Sequence, residues 1–256
     1  ELSTTSSGNI FVADSDAVTL ASSSTSSNGN IDVRTVSGDL TVSSAVTADG
    51  SGDIILNSAG ALMVNNVLTS TSGDLSLTGA TGVTHSAAGD LTTSGAGTIT
   101  VVSTANDVTM VDGTVFTAGG GSVSVTGADE VLLGKIANPL GTVSVTATAG
   151  DISDETSAEG TSNENISGTT VTLSAASGVG ATGAANDIDT AATTIVAADS
   201  SSGGIYISET DGVAVGATST TAGAISITAG GAVTTSGNIT AAGGALAITG
   251  AVSYTH

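Results

Sequence analysis

The sequence of 256 residues contains no cysteine, no tryptophan and one proline, and aromatic residues make up 2% of it. The lack of cysteine excludes disulfide bonds, although it does not by itself decide the compartment. Low complexity with so few aromatic residues is typical of disordered chains. Apolar residues nevertheless reach 39% and recur at strand spacing, so the sequence predicts a folded protein.

Basic residues are also scarce. Lys and Arg together number 2 against 23 Asp and Glu residues, which gives a formal net charge of −21. Nucleic-acid binding needs a basic surface and is therefore excluded. Attraction to an anionic membrane surface is excluded by the same argument. Positively charged partners, above all divalent cations, are the ones that such a chain attracts.

The sequence has no apolar run of the length that crosses a bilayer, so no membrane insertion is expected. It also has no basic segment followed by an apolar one, as in a signal peptide, and no initiating methionine. We therefore expect a mature product or a segment of a longer chain. Few basic residues, many Ser and Thr residues and no cysteine fit an exported protein of the bacterial cell surface better than a cytosolic enzyme.

A glycine followed by an alternating apolar strand recurs along the chain. In the segment 223–249, for example, Ile225 and Ile227 share one face of a short strand, and a Gly-Gly turn follows. Most of the glycines that open such strands are about 19 to 24 residues apart, a period that is the signature of a solenoid. These glycines are Gly8, Gly29, Gly52, Gly73, Gly97, Gly121, Gly141, Gly204, Gly223 and Gly244.

Two further apolar steps follow each opening strand. The second includes the segments 18–20, 40–42 and 62–64, and a weaker third step falls at Val46, Val67, Leu91, Val115, Ile136 and Ile239. The pattern predicts an all-β protein, a single-stranded parallel β-helix of about eleven coils with three short strands per coil. A single coil buries too little to be stable alone, so coils must stack, and the ends of the stack are open edges.

We expect residues 1–256 to form one continuous solenoid with irregular longer insertions around 151–167 and 181–203. There the repeat is lost, and the surplus residues predict either loops that leave the solenoid or one degenerate coil around Ile188 and Ile195. Insertions in solenoids usually leave on one face, and that face often binds a partner.

The repeats resemble those of large secreted bacterial adhesins, in particular filamentous-haemagglutinin-like and autotransporter passenger proteins. The resemblance is carried by Gly29-Asn30-Ile31, Gly52-Asp53-Ile54 and Gly73-Asp74-Leu75, and by the Gly-Gly pairs at 120–121 and 243–244. It implies a right-handed parallel β-helix, export across the outer membrane, and a role as a stalk, adhesin or matrix fibre. That family has no catalytic residues in its repeats, so the resemblance assigns none here.

Asn30, Asp53 and Asp74 follow their glycines at the same repeat position and should stack on adjacent coils. One interpretation is a ladder of cation sites, because stacked carboxylates repel one another unless neutralised. The favoured interpretation is that these side chains cap the turns before the strands, because Asn serves that purpose as well as Asp.

The first insertion is acidic, and Asp151, Asp154 and Glu155 are its candidate calcium ligands, with Glu159 and Glu164 nearby. Calcium prefers several carboxylate and carbonyl oxygens on a flexible loop. The spacing matches neither the EF-hand nor the calcium-binding nonapeptide repeat, so a solvated acidic loop is the alternative. No cofactor is required, and calcium is the one considered. Weaker acidic candidates are Asp187, Asp189, Glu209 and Asp211.

No catalytic set is evident. Arg34 and Lys135 lie about five coils apart, and neither His85 nor His256 has an evident partner. We therefore expect a non-enzymatic structural or adhesive rod of a bacterial surface fibre. Its expected partners are further rods stacked end to end, other fibre chains, or host and matrix glycans. The alternatives are a calcium-dependent component of a surface layer or biofilm matrix and, less favoured, a carbohydrate-active β-helix enzyme.

Overall fold

The computed structural model describes residues 1–157, 163–200 and 203–251, with the backbone alone at 196–199. These residues form 28 strands of one continuous ladder and contain no helix. All the strand pairings are parallel. The predicted all-β solenoid of about 11 coils is thereby confirmed.

The strands are β1 (Leu2–Ser6), β2 (Ile10–Asp14), β3 (Val18–Thr25), β4 (Ile31–Thr35), β5 (Leu40–Val42), β6 (Val46–Ala48), β7 (Ile54–Ser58), β8 (Leu62–Val64), β9 (Leu68–Ser70), β10 (Leu75–Gly79), β11 (Val83–His85), β12 (Leu91–Thr93), β13 (Ile99–Ser103), β14 (Val108–Met110), β15 (Val115–Ala118), β16 (Val123–Gly127), β17 (Val131–Leu133), β18 (Lys135–Ala147), β19 (Asp151–Asp154), β20 (Ile166–Ala175), β21 (Gly178–Val179), β22 (Ile188–Ser200), β23 (Ile205–Glu209), β24 (Val213–Thr220), β25 (Ile225–Ala229), β26 (Val233–Thr235), β27 (Ile239–Ala241) and β28 (Leu246–Thr249).

The strands of the regular coils stack into three faces, which we call A, B and C. Face A contains the five-residue strands β2, β4, β7, β10, β13 and β16. Face B contains β5, β8, β11, β14 and β17, and face C contains β6, β9, β12 and β15. Each coil therefore runs through A, B and C in chain order before the next coil begins.

Strands of successive coils pair in register, so the buried side chains stack in columns along the core. Leu75 pairs with Ile54 below and Ile99 above, without a shift. Along β10, Leu75 and Leu77 point inward and are fully buried, while Ser76 points outward. Because successive side chains of a strand alternate between faces, the period-2 pattern of the sequence places every second residue in the core.

The opening glycines are needed where coils approach most closely. A Cβ atom on Gly97 would lie 2.1 Å from the carbonyl oxygen of Gly73, and one on Gly121 would lie 2.1 Å from that of Gly97. At Gly8, by contrast, the nearest atom would be the Ser6 hydroxyl at 4.0 Å. The repeated glycine therefore reflects contact with the coil below and is unnecessary where that contact is missing.

The irregular region changes the phase of the repeat. β19 and β21 continue face B, while β20 and β22 each run along face C and then face A. The next opening strand, β23, does not return to face A: it pairs with both β21 and β22, so it lies over faces B and C. Two excursions interrupt this region between faces B and C: the first includes residues 155–157 and 163–165, and the second includes residues 180–187.

Candidate cation-binding site

The polar residues that follow the opening glycines form a hydrogen-bonded ladder between coils. The Asn30 side-chain oxygen accepts from the Asp53 N–H at 2.9 Å, and Asp53 accepts in turn from the Asp74 N–H at 2.9 Å. Asp74 accepts from the N–H of Thr98 at 2.7 Å. The acceptor therefore serves the backbone of the next coil, which an Asn or an Asp oxygen does equally well.

Asp107, Glu130 and Asp151 form an acidic column at the corner before face B. Asp107 Oδ1 accepts from the Glu130 N–H at 3.0 Å. The pKa of Glu130 is raised, first because of partial burial and then because of a hydrogen bond with Asp151 and the charges of Asp151, Asp107 and Asp129. Stacking the corners of successive coils thus concentrates negative charge beside the first excursion.

Two of the three predicted calcium ligands come together. Asp151 and Asp154 line a pocket of about 120 Å³ that is closed on the other side by Gly180, Ala181 and Asn186 of the second excursion. Glu155 does not line this pocket, and its backbone N–H donates to the Leu133 carbonyl.

Of the other acidic residues in the first insertion, Glu164 accepts a hydrogen bond from the Thr210 hydroxyl at 3.3 Å. Glu159 lies outside the described residues.

The amide of Asn165 connects the two excursions. Asn165 is fully buried, and its Nδ2 donates to Asp154 Oδ1 at 2.5 Å and to the Thr156 hydroxyl at 3.3 Å. Its Oδ1 accepts from the backbone N–H of Asp189 at 2.8 Å. Asp154 Oδ1 also accepts from the Thr156 N–H and hydroxyl, each at 2.8 Å. Asp154 Oδ1 therefore accepts three hydrogen bonds.

Three carboxylate oxygens of this cluster lack a hydrogen-bond partner. Asp154 Oδ2, Asp187 Oδ1 and Asp189 Oδ2 are buried and have no hydrogen-bond partner within the described part of the chain. Asp189 as a whole is only 7% exposed. The pKa of Asp187 is raised because burial removes water from the carboxylate and because Asp189 and Asp154 are also negative. Buried carboxylate oxygens without partners are costly, so a positively charged or proton-donating ligand would stabilise this cluster.

The structure does not place the three carboxylates around one point. Across residues 1–157, 163–200 and 203–251, no three acidic, His or Cys side chains are arranged to hold a metal ion as they stand. Of the sequence candidates, Asp154 belongs to the cluster and Asp187 and Asp189 supply its other free oxygens, while Asn165 was not predicted. The only sequence signal was the acidic character of both insertions, because their contact depends on how the coils stack.

Glu209 shows the contrast between a satisfied and an unsatisfied buried carboxylate. It is 3% exposed, and it accepts from the Thr190 hydroxyl at 2.7 Å and from the Ala192 N–H at 3.0 and 3.1 Å. Burial raises the pKa of Glu209 despite these bonds. Both of its oxygens accept hydrogen bonds, so the Glu209 side chain connects β23 to β22.

Two residues considered for catalysis, Arg34 and His85, form contacts within the fold. Arg34 forms a paired contact with Asp32, with both N–O distances at 2.8 Å. His85 is fully buried, and its Nδ1 lies 2.7 Å from the Gly89 carbonyl. His256 lies outside the described residues. The described ranges contain no helical segment with the length and apolar character needed to cross a bilayer.

Comparison with known proteins adds no relative. No family model matches the sequence, and neither the curated proteins nor the solved structures give a match.

Proposed function

We propose that this chain is a non-enzymatic structural or adhesive protein of the bacterial cell surface, a β-helical rod within an extracellular fibre. The observation that carries the proposal is the continuous parallel ladder from β1 to β28. Eleven coils spaced by about 4.8 Å would give a rod roughly 50 Å long. The resemblance of the Gly-Asx-aliphatic repeats to secreted bacterial adhesins supports the same role.

The proposed mechanism is mechanical. Every interior strand pairs with the coil below and the coil above, so load along the rod is shared by many parallel hydrogen bonds. The outward positions of face A carry small polar side chains, such as Ser76, Thr100 and Ser124, which suit a solvated shaft. The net charge of −21 would keep such shafts apart from one another at their sides.

End-to-end association is the proposed mode of self-interaction. In β28, Leu246 and Ile248 occupy the register positions that Ile225 and Ile227 fill in β25. Leu246 is 50% exposed, whereas Ile225 is fully buried. Another parallel coil, whether from a second copy or from a longer chain, would cover these side chains and pair with the strand edge.

Glycans are the proposed adhesive partners, and one patch fits them. Phe11 is 67% exposed and, with Asp32 and Arg34, lines a shallow pocket of about 240 Å³. An exposed aromatic ring offers an apolar surface, and the fixed Asp32–Arg34 pair offers hydrogen-bond acceptors and donors beside it. Replacing Phe11 with Ala should weaken binding to an immobilised polysaccharide, while Val36→Ala, at another exposed apolar residue, should not.

The test of the rod is electron microscopy of the purified chain together with sedimentation over a range of concentrations. Rods of one coil width, with lengths that increase with concentration, would support end-to-end association. Monomeric rods at every concentration would contradict the association and leave a stalk segment. Compact particles would contradict the rod itself.

The carbohydrate-active alternative requires a different result. Incubation with acidic polysaccharides should release no new reducing ends if the chain is structural. Turnover that is lost when the carboxylates of Glu130 and Asp151 are replaced by amides would overturn the proposal, because these two acids share a hydrogen bond in the way that an acid–base pair does.

A further inference from the structure

The two excursions of the irregular region meet over one small polar cluster. The first begins after β19 and ends at Asn165, and the second runs from Gly180 to Asp187. Asn165 hydrogen-bonds the Asp154 side chain and the Asp189 backbone, so it joins residues separated by one coil. This contact is independent of the role proposed above, because it depends only on the stacking of these coils.

Carboxylate oxygens without partners are concentrated here. In the described part of the chain, the carboxylate oxygens that are buried without a hydrogen-bond partner are Asp154 Oδ2, Asp187 Oδ1 and Asp189 Oδ2. Asp189 is more than nine-tenths buried, so bulk water does not replace the missing partner. The Asn165 amide serves only the Asp154 carboxylate and the Asp189 backbone, so these three oxygens would be stabilised by a compensating positive charge.

We infer that a divalent cation of the calcium type binds between the two excursions, with Asp154, Asp187 and Asp189 as its carboxylate ligands. Calcium takes six to eight oxygen ligands with flexible geometry, and carboxylates, backbone carbonyls and water supply them together. Magnesium requires a stricter octahedral arrangement and dehydrates reluctantly, so it suits this irregular cluster less well.

Binding requires one movement. The three carboxylates do not converge on one point, so they would have to come closer together to share an ion. Asp187 ends the exposed segment 181–186, which turns at Gly180 and Gly183 with φ angles of 61° and 106°. Asn165, by contrast, holds the Asp154 side chain and the backbone N–H of Asp189. The second excursion would therefore close onto the first when the ion binds.

Thermal unfolding of the whole chain tests the inference. Melting temperatures are compared in chelator, in calcium chloride, in magnesium chloride and in sodium chloride of equal ionic strength. Calcium should raise the melting temperature beyond the sodium control, and beyond magnesium. An identical melting temperature in calcium and in sodium chloride would overturn the inference.

Matched variants locate the effect. Asp189→Asn and Asp187→Asn should each weaken the calcium response roughly tenfold or more in calcium concentration, because each removes one anionic ligand. Asp16→Asn, the same change at an exposed residue of a regular coil, should respond like the unmodified chain. If Asp189→Asn does not fold, the half-exposed Asp187→Asn carries the test. Full calcium responses in both cluster variants would place any bound ion elsewhere and overturn the inference.

Terbium luminescence provides a second measurement. Terbium replaces calcium at oxygen-ligand sites and emits when a nearby tyrosine transfers its excitation. Tyr206 and Asp187 line the same pocket, so terbium at the proposed site should be sensitised by Tyr206. Tyr206→Phe should abolish the emission and leave the calcium effect on melting unchanged, whereas Asp187→Asn should reduce both. Emission that persists in Tyr206→Phe would contradict the site.

Discussion

His85 is an ionisable residue placed where no charge can be solvated. It has no exposed surface, and its ring packs edge-on against Phe116 with 4.7 Å between ring centroids. Because the Gly89 carbonyl can only accept a hydrogen bond, Nδ1 carries the proton. Nε2 is buried and has no partner in the described part of the chain. Burial lowers the pKa of His85 to about 4 from 6.5.

His85 should therefore make stability depend on pH. The unfolded chain binds a proton near pH 6.5 and the folded chain only near 4, so the stabilisation is fully present above 6.5 and lost as pH falls through this window. The loss is about 3 kcal/mol. Urea unfolding at pH 7, 5 and 4 measures it, with His85→Met as the variant that lacks the titration.

The comparison with the variant is necessary because several carboxylates act in the opposite sense. Glu209, Glu130 and Asp187 have raised pKa values, so they favour the folded state as pH falls through those values. They are present in both chains and cancel in the difference. Parallel stability curves for the two chains would show that His85 is not the cause.

The polar ladder predicts a distinction between charge and hydrogen bonding. Asp53 accepts the N–H of Asp74 through one oxygen. Asp53→Ala should cost about 1 kcal/mol because the N–H loses its partner, whereas Asp53→Asn should change the free energy of unfolding by only a few tenths. Denaturant unfolding measures both. If Asn costs as much as Ala, the carboxylate charge matters and the interpretation of the ladder as a row of cation sites is favoured instead.

At the scale of the element, the coil period could be predicted from sequence because glycines and alternating apolar residues mark each strand directly. The inward positions of the third strands could be predicted only in part. Leu91 lies in the core as predicted, whereas Leu68 and Phe116 each lie there one residue after the predicted Val67 and Val115. These strands follow a bend, and a shift of one residue exchanges the inward and outward sides of a strand.

The opening glycine offers a test of close coil contact. Gly97→Ala should destabilise the protein by about 1–3 kcal/mol, because its Cβ would overlap the Gly73 carbonyl oxygen of the coil below. Gly8→Ala occupies the same repeat position without such an overlap and should be tolerated. Thermal or urea unfolding of both variants makes the comparison. Equal losses would mean that backbone freedom, and not contact between coils, selects glycine here.

At the scale of the whole molecule, the irregular region could be located from sequence but not described. The surplus residues between Gly141 and Gly204 indicate where the irregular region lies. Its conformation, however, depends on which face the next opening strand joins. In the structure β23 lies over faces B and C. Asn165 joins the Asp154 side chain to the backbone of Asp189 in the next coil. Neither the placement of β23 nor the acidic cluster could be predicted from composition, because both depend on how the coils stack.

The net charge of −21 predicts how the whole molecule responds to salt. Stacking at about 4.8 Å brings acidic corners such as Asp107, Glu130 and Asp151 onto one edge, where they repel one another. Salt shortens the screening length from about 30 Å at 0.01 M to about 10 Å at 0.1 M, so it should stabilise the folded rod. Raising sodium chloride across this range should increase the melting temperature by on the order of 5 °C.

Tetramethylammonium chloride of equal ionic strength should raise the melting temperature equally if screening is the cause. A response to sodium alone would indicate specific ion binding, and no response to either salt would show that the repulsion is negligible in the folded rod or equally strong in the unfolded chain.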